Sequence, residues 1–176
     1  MNIPNSLTFL RILLVPLFVI LLIYGHTFYA FLTFIIASIT DAVDGLIARL
    51  FNQKTILGAY LDPIADKLLL VTSYIVLAVI GIIPPWLTVL VISRDIVILM
   101  GAAILFINNR SLEIRPSIPG KVSTFLQIAT IVIALSIAQP AEVLKPLILP
   151  SIYLTTIFTL ISGFHYAYVG VRKMAD

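Results

Sequence analysis

Four stretches of this chain carry no Asp, Glu, Lys or Arg: Ile12–Thr40, Leu68–Ser93, Val122–Ala141 and Pro146–Val171. A helix needs about 20 mostly apolar residues to cross a hydrocarbon core. The first stretch is interrupted at Tyr24-Gly25-His26-Thr27 and the second at Pro84-Pro85, where Gly and Pro read as turns. Six spans are therefore expected: Leu7–Tyr24, Phe28–Arg49, Ala59–Ile82, Trp86–Ile107, Gly120–Ala138 and Leu147–Val171. Pro16 and Pro150 are expected to kink their helices or mark their ends. The first span begins with almost no positive region, so it reads as a retained helix and not a cleaved signal.

Composition agrees. The 176 residues are 61% apolar and 11% charged, against about 25% charged in soluble domains. That is too little polarity to cover a folded surface in water. It argues against a water-soluble enzyme, a disordered tail and a partner of nucleic acid, which requires clustered exposed Lys and Arg. There is no cysteine, hence no disulfide, thiolate metal site or Cys nucleophile. His26 and His165 lie too far apart to suggest a zinc pair. With six spans both termini share a side, and Arg11, Arg49, Lys54, Arg110, Arg115, Lys121, Arg172 and Lys173 fall there, against Lys145 opposite. The excess of basic residues marks that side as cytoplasmic. The expected architecture is an all-α integral membrane bundle of six transmembrane helices, both termini cytoplasmic, forming one domain over residues 1–176.

Acidic residues inside such spans are informative. Asp41, Asp44, Asp62, Asp66 and Asp95 all lie within or at the lip of one. Each costs roughly 3 kcal/mol on insertion scales, and intramembrane acids mark functional interiors. Asp41, Asp44 and Ala48 stand at i, i+3 and i+7, and Asp62 and Asp66 at i and i+4, so each set occupies one helical face. The short connection Leu50–Leu57 brings these two helices, the second and third spans, back antiparallel, so that four carboxylates converge. Unneutralised, they would repel and take up protons. An all-oxygen donor set suits two hard divalent cations, Mg²⁺ or Mn²⁺. Paired ions of this kind clamp the attacking and leaving oxygens of a phosphoryl transfer. Gly45 lets a substrate approach the helix backbone. Ala48 is small on the same face, and Arg49 offers a planar cation to a diphosphate. A structural ion pair at a helix end is the alternative for any one carboxylate, but not for all four with Gly45, Arg49 and Gly58 in place.

The run Asp41-x2-Asp44-Gly45-x2-Ala48-Arg49-x8-Gly58-x3-Asp62-x3-Asp66 resembles the signature of the CDP-alcohol phosphatidyltransferases, with eight fixed residues over 26 positions. The resemblance implies six transmembrane helices with cytoplasmic termini, commonly as a homodimer. It implies that Asp41, Asp44 and Asp62 hold two divalent ions on the CDP diphosphate. Asp66 would touch a metal and act as general base on the acceptor hydroxyl. Gly45, Ala48 and Gly58 would make room for the nucleotide, and Arg49 would contact phosphate. The implied reaction is direct attack on the lipid-side phosphorus of CDP-diacylglycerol at the cytoplasmic face of a membrane, expected to be the bacterial inner membrane. A diphosphate at that boundary can leave its acyl chains in lipid and its cytidine toward the cytoplasm.

The acceptor is read from weaker signals. Asn2-Ile3-Pro4-Asn5-Ser6-Leu7-Thr8-x2-Arg11 and Leu61-Asp62-Pro63-Ile64-Ala65-Asp66-Lys67 resemble the bacterial branch that uses glycerol 3-phosphate and forms phosphatidylglycerophosphate. On that resemblance Asn5 and Thr8 lie near the nucleotide; helix capping by Asn5 or Ser6 is the competing reading. Arg11 reads as an anchor at the headgroups. Arg94 sits mid-span, where it needs either an acid partner or a polar cavity. In the second case Arg94, Arg115 and Lys121 form a cationic pocket for an acceptor phosphate. Asp95 and Gly120-Lys121-Val122-Ser123-Thr124 depart from the Glu and the second Lys expected of many glycerophosphate users. Ile83–Ile98, Arg115-Pro116-Ser117 and Phe164-His165-Tyr166-Ala167-Tyr168 resemble the eukaryotic-type branch that transfers to phosphatidylglycerol and makes cardiolipin. Glycerol 3-phosphate is the expected acceptor and phosphatidylglycerol the alternative. A small divalent-cation transporter would spread its acids through the bilayer's depth, whereas these four gather at one lip. A non-catalytic scaffold leaves the carboxylate set unexplained.

Overall fold

The structure is a computed structural model that describes residues 3–50, 56–107, 117–138 and 142–175, with side chains over 8–40, 64–101, 117–138, 144–170 and 172. The described residues form six α-helices and no strand. They are α1 (Ile3–Ile23), α2 (Thr27–Leu50), α3 (Ile56–Val79), α4 (Pro85–Ile107), α5 (Ile118–Ile137) and α6 (Ile148–Ala175), the last preceded by a 3₁₀ turn over Glu142–Leu147.

The helix ends follow from local chemistry. Gly25 has φ +76°. Its N–H bonds the Leu22 carbonyl at 3.1 Å, and the His26 N–H bonds that of Leu21 at 2.8 Å. This pair of bonds is the Schellman closure, which a left-handed residue permits. Gly81, at φ +79°, repeats it with Ala78 and with the Ile82 N–H on Leu77. That glycine stops α3 at Val79, earlier than the expected Ile82, before Pro84-Pro85 is reached. Pro85 instead opens α4, where its missing N–H is no loss. At α5, Ser117 is the N-cap and its hydroxyl accepts from the Gly120 N–H at 3.2 Å, so the helix begins two residues before the expected Gly120. α1 begins at Ile3, so Asn5 and Ser6 lie inside the helix and do not cap it. It also runs through Pro16, which therefore does not end it. Pro150 falls in the first turn of α6.

α1 packs against α2 and α3, while α6 packs against α4 and α5. Phe18 of α1 meets Phe34 of α2 with ring centroids 6.0 Å apart. Leu77, Leu87, Ile131 and Leu135 extend the core through α3, α4 and α5. Between α5 and α6 runs a ladder of hydroxyls. Ser123 and Thr159 lie 3.1 Å apart, Thr130 and Thr155 2.8 Å apart, and Thr155 donates to the Leu126 carbonyl at 3.1 Å.

Polarity is distributed opposite to that of a soluble protein. Arg11, Ser73, Gln127, Thr130 and Ser162 are fully buried, while Leu13, Ile20, Val79, Leu99, Phe125 and Phe164 face outward. Such a surface suits lipid, where helices associate through packing and interhelical hydrogen bonds. Among the described residues, Ile118–Ile137 and Leu144–Gly170 are each long and apolar enough to cross a bilayer. The described residues are all-helical apart from turns, and these two apolar helices are consistent with a membrane protein. Thr155→Val removes a rung and is expected to cost about 0.6 kcal/mol, the usual worth of a hydrogen bond between membrane helices. Phe34→Ala opens a cavity and should cost about 3 kcal/mol. Unfolding in mixed micelles would check this order, and equal losses would contradict it.

Candidate active site

Asp66 lies on α3 and is half-buried. The fully buried guanidinium of Arg11, on α1, donates to its Oδ1 at 2.5 Å. Arg11 is therefore not a headgroup anchor. It is an interior cation turned toward the carboxylate expected to act as base. Thr8, one turn earlier on α1, is buried as well.

Helix register continues this site. Ala30, Phe34 and Ala37 are fully buried and define the inward face of α2. Positions Asp41, Asp44 and Ala48 continue the same i, i+4, i+7 progression along the helix. On α3, Asp62 lies one turn before Asp66, and Gly58 one turn before Asp62. Arg11, Ala37, Ser38, Asp66, Leu69, Leu70, Thr124 and Ile128 line a cavity of about 100 Å³, so α1, α2, α3 and α5 converge on Asp66. The side chains of Asn5, Asp41, Asp44, Ala48, Arg49 and Asp62, and the surroundings of Gly45 and Gly58, lie outside those described. Among the described residues no group of three metal-ligating side chains occurs; Asp66 is the one member of the four-carboxylate set they include. The set's chemistry, hard oxygen throughout, fits Mg²⁺ or Mn²⁺.

A second cavity, of about 510 Å³, opens beside the first. Lys67, Arg94, Asp95, Lys121 and Tyr166 line it, together with Gly120, Thr124 and Ile128. Asp95, almost wholly buried, shares its Oδ1 between Lys67 Nζ at 2.6 Å and Arg94 Nη1 at 2.8 Å. Arg94 also donates to Ser162 Oγ from Nε (3.1 Å) and Nη2 (2.9 Å) and lies 5.8 Å from the Tyr166 ring centroid. The Tyr166 hydroxyl accepts from the Ser117 N–H at 3.1 Å, tying this wall to the start of α5. Arg94 is thus paired with an acid, and it also lines this cavity. Lys121 joins it there, exposed at the mouth. Arg115 lies outside the described residues. Lys67 was not anticipated. The available signal was its place after Asp66, since one residue's turn of the helix aims it at a different neighbour. Three cations and one carboxylate leave this cavity at +2, counting Lys67, Arg94 and Lys121 against Asp95.

A third, apolar groove of about 470 Å³ runs between α4 and α6 from Trp86 past Leu90 and Leu160 to Phe164, with Arg94 in its wall. His26 and His165 line none of the three cavities; they pack against Tyr29 and Tyr166 respectively.

Asp95 is the carboxylate that permits two cations to converge below the surface. Removing one partner of a buried pair leaves uncompensated charge. Asp95→Ala is therefore expected to destabilise the protein by about 3 kcal/mol in detergent, and Asp95→Glu by less. Thermal unfolding measures both, and an unchanged midpoint for the alanine variant would contradict the assignment.

Comparison with known proteins agrees with the residues. The family model for CDP-alcohol phosphatidyltransferase matches residues 1–162. A Bacillus subtilis protein named CDP-diacylglycerol–glycerol-3-phosphate 3-phosphatidyltransferase is 32% identical over 182 residues, covering 94% of this chain and 93% of that protein. A Mycobacterium tuberculosis protein named "Probable phosphatidylglycerophosphate synthase" is 36% identical over 166 residues, covering 90% of this chain and 78% of its own length. The human cardiolipin synthase (CMP-forming) is 32% identical over 198 residues, covering 99% of this chain and 64% of that protein. With its complete eight-residue signature and a family match over nearly its whole length, this chain belongs to the CDP-alcohol phosphatidyltransferase family.

Proposed function

We propose that this protein transfers the phosphatidyl group of CDP-diacylglycerol to glycerol 3-phosphate, releasing CMP and forming phosphatidylglycerophosphate. The observation that carries the choice of acceptor is the +2 cavity beside Asp66. A phosphate monoester is a dianion near neutral pH, whereas the phosphodiester of phosphatidylglycerol carries one negative charge. Lys67, Arg94 and Lys121, offset by Asp95, balance the dianion.

The chemistry follows from the same residues. Asp41, Asp44, Asp62 and Asp66 would hold two divalent cations, Mg²⁺ or Mn²⁺, which when bound offset charge on the phosphoryl oxygens and the departing CMP. Gly45, Ala48, Arg49 and Gly58, with Asn5 and Thr8, form the bed for the CDP moiety. Arg94, Arg115, Lys121 and Lys67 hold the acceptor phosphate. An alcohol is a weak nucleophile at neutral pH. Asp66 accepts its proton as the alkoxide oxygen bonds the lipid-side phosphorus. The bond from that phosphorus to CMP breaks, and the electron pair leaves with CMP. Arg11 keeps the Asp66 carboxylate oriented toward the cavity. The chain acts as one domain over residues 1–176 with six crossings, both termini and the active site on the cytoplasmic side of a bacterial inner membrane.

One observation favours a second reading. The apolar groove against the other side of Arg94 could seat the acyl chains of phosphatidylglycerol, which would make the product cardiolipin. Purified protein given CDP-diacylglycerol and Mg²⁺ or Mn²⁺, with each acceptor supplied separately, decides between them. CMP is expected with glycerol 3-phosphate; release with phosphatidylglycerol alone would establish the second reading. Asp66→Asn should lower turnover by at least about 100-fold, the lower end of what a general base contributes. The variant should still bind CDP-diacylglycerol. Turnover at the normal rate would remove Asp66 from that role.

A further inference from the structure

The cavity that holds Arg11 and Asp66 and the cavity that holds Lys67, Arg94 and Lys121 share two lining side chains, Thr124 and Ile128 of α5. Of these, Thr124 alone is polar. Its hydroxyl donates to the Gly120 carbonyl of its own helix at 3.1 Å. With its proton so engaged, a threonine oxygen still offers lone pairs to a donor.

We infer that Thr124 reads the middle hydroxyl of the acceptor and thereby selects which oxygen attacks. The inference rests on the proposed acceptor. Glycerol 3-phosphate presents, in order, a phosphate, a secondary hydroxyl and a primary hydroxyl. With the phosphate among Lys67, Arg94 and Lys121 and the primary hydroxyl at Asp66, the secondary hydroxyl falls where the two cavities adjoin. Thr124 stands there. A bond from the secondary hydroxyl to Thr124 Oγ1 turns that oxygen away from Asp66 and leaves the primary one facing the carboxylate. Ile128, the other shared side chain, covers the acceptor's carbon backbone. A site built to receive a substrate hydroxyl also discriminates against an analogue that lacks it.

The probe is 3-hydroxypropyl phosphate, which retains the phosphate and the primary hydroxyl and lacks the secondary one. CMP release and calorimetric binding would be measured for both acceptors with the wild-type protein, Thr124→Val and Thr124→Ser. The wild type is expected to favour glycerol 3-phosphate by roughly three- to tenfold in kcat/KM, the range one neutral hydrogen bond supplies. Thr124→Val should bring that preference close to one, mainly by weakening glycerol 3-phosphate, while Thr124→Ser restores it. Each preference is a ratio within one preparation, so a smaller folded fraction cancels. A preference that survives in Thr124→Val, or is absent from the wild type, overturns the inference. No CMP from the wild type with either acceptor overturns the underlying acceptor reading instead.

Discussion

A charge inside a membrane bundle must find a counter-charge or a set of hydrogen bonds, because lipid supplies neither. Here that requirement falls on two consecutive residues of α3. Asp66 is met from α1 by Arg11, and Lys67 is met from α4 by Asp95, which also holds Arg94. The two pairs have opposite sense: α3 supplies the anion to one side and the cation to the other. Successive helix positions are turned about 100° apart, so a dipeptide can engage two different neighbours. The turn of α3 that carries the proposed base is therefore held from both flanks. The position of Asp66 depends on α1 and α4 as much as on α3 itself.

The two halves of the bundle divide the work. α1 packs against α2 and α3, the two helices that carry the acidic signature in their sequence. α4 and α6 enclose Arg94, with Ser162 and Tyr166 as its partners. α5 belongs to both, because its residues 124 and 128 reach each cavity. In the proposed reaction, substrate groups of different chemistry would be received by different helices and still meet at one carboxylate.

Much of this was legible in the sequence, for identifiable reasons. Apolar runs of membrane length fixed the number of helices, and Gly25 marked a turn through a conformation other residues avoid. The spacing of Asp41, Asp44, Asp62 and Asp66 pointed to a site because helical periodicity converts intervals into faces, and of the four only the side chain of Asp66 lies among those described. What escaped was contact between distant positions. Nothing local in Arg11 reveals a partner 55 residues away, and at a helix end an anchor is the simpler reading. Lys67 lay inside a recognised motif yet faces a different helix from its neighbour. The stop at Gly81 was masked by the stronger punctuation of Pro84-Pro85. The span expected from Gly120 omitted Ser117, whose hydroxyl caps the first turn of α5.

The hydroxyl ladder between α5 and α6 bears on how such a molecule can move. Other serines and threonines of the bundle bond within their own helix: Ser73 to Leu69 on α3, Ser136 to Val132 on α5 and Thr156 to Ile152 on α6. These travel with their helix and resist nothing. The rungs Ser123–Thr159 and Thr130–Thr155 instead join two helices at fixed heights. Sliding one helix past the other by a single turn would break both rungs, at about 0.6 kcal/mol each. The two rungs thus favour α5 and α6 moving as one unit, pivoting about this seam in preference to shearing along their length.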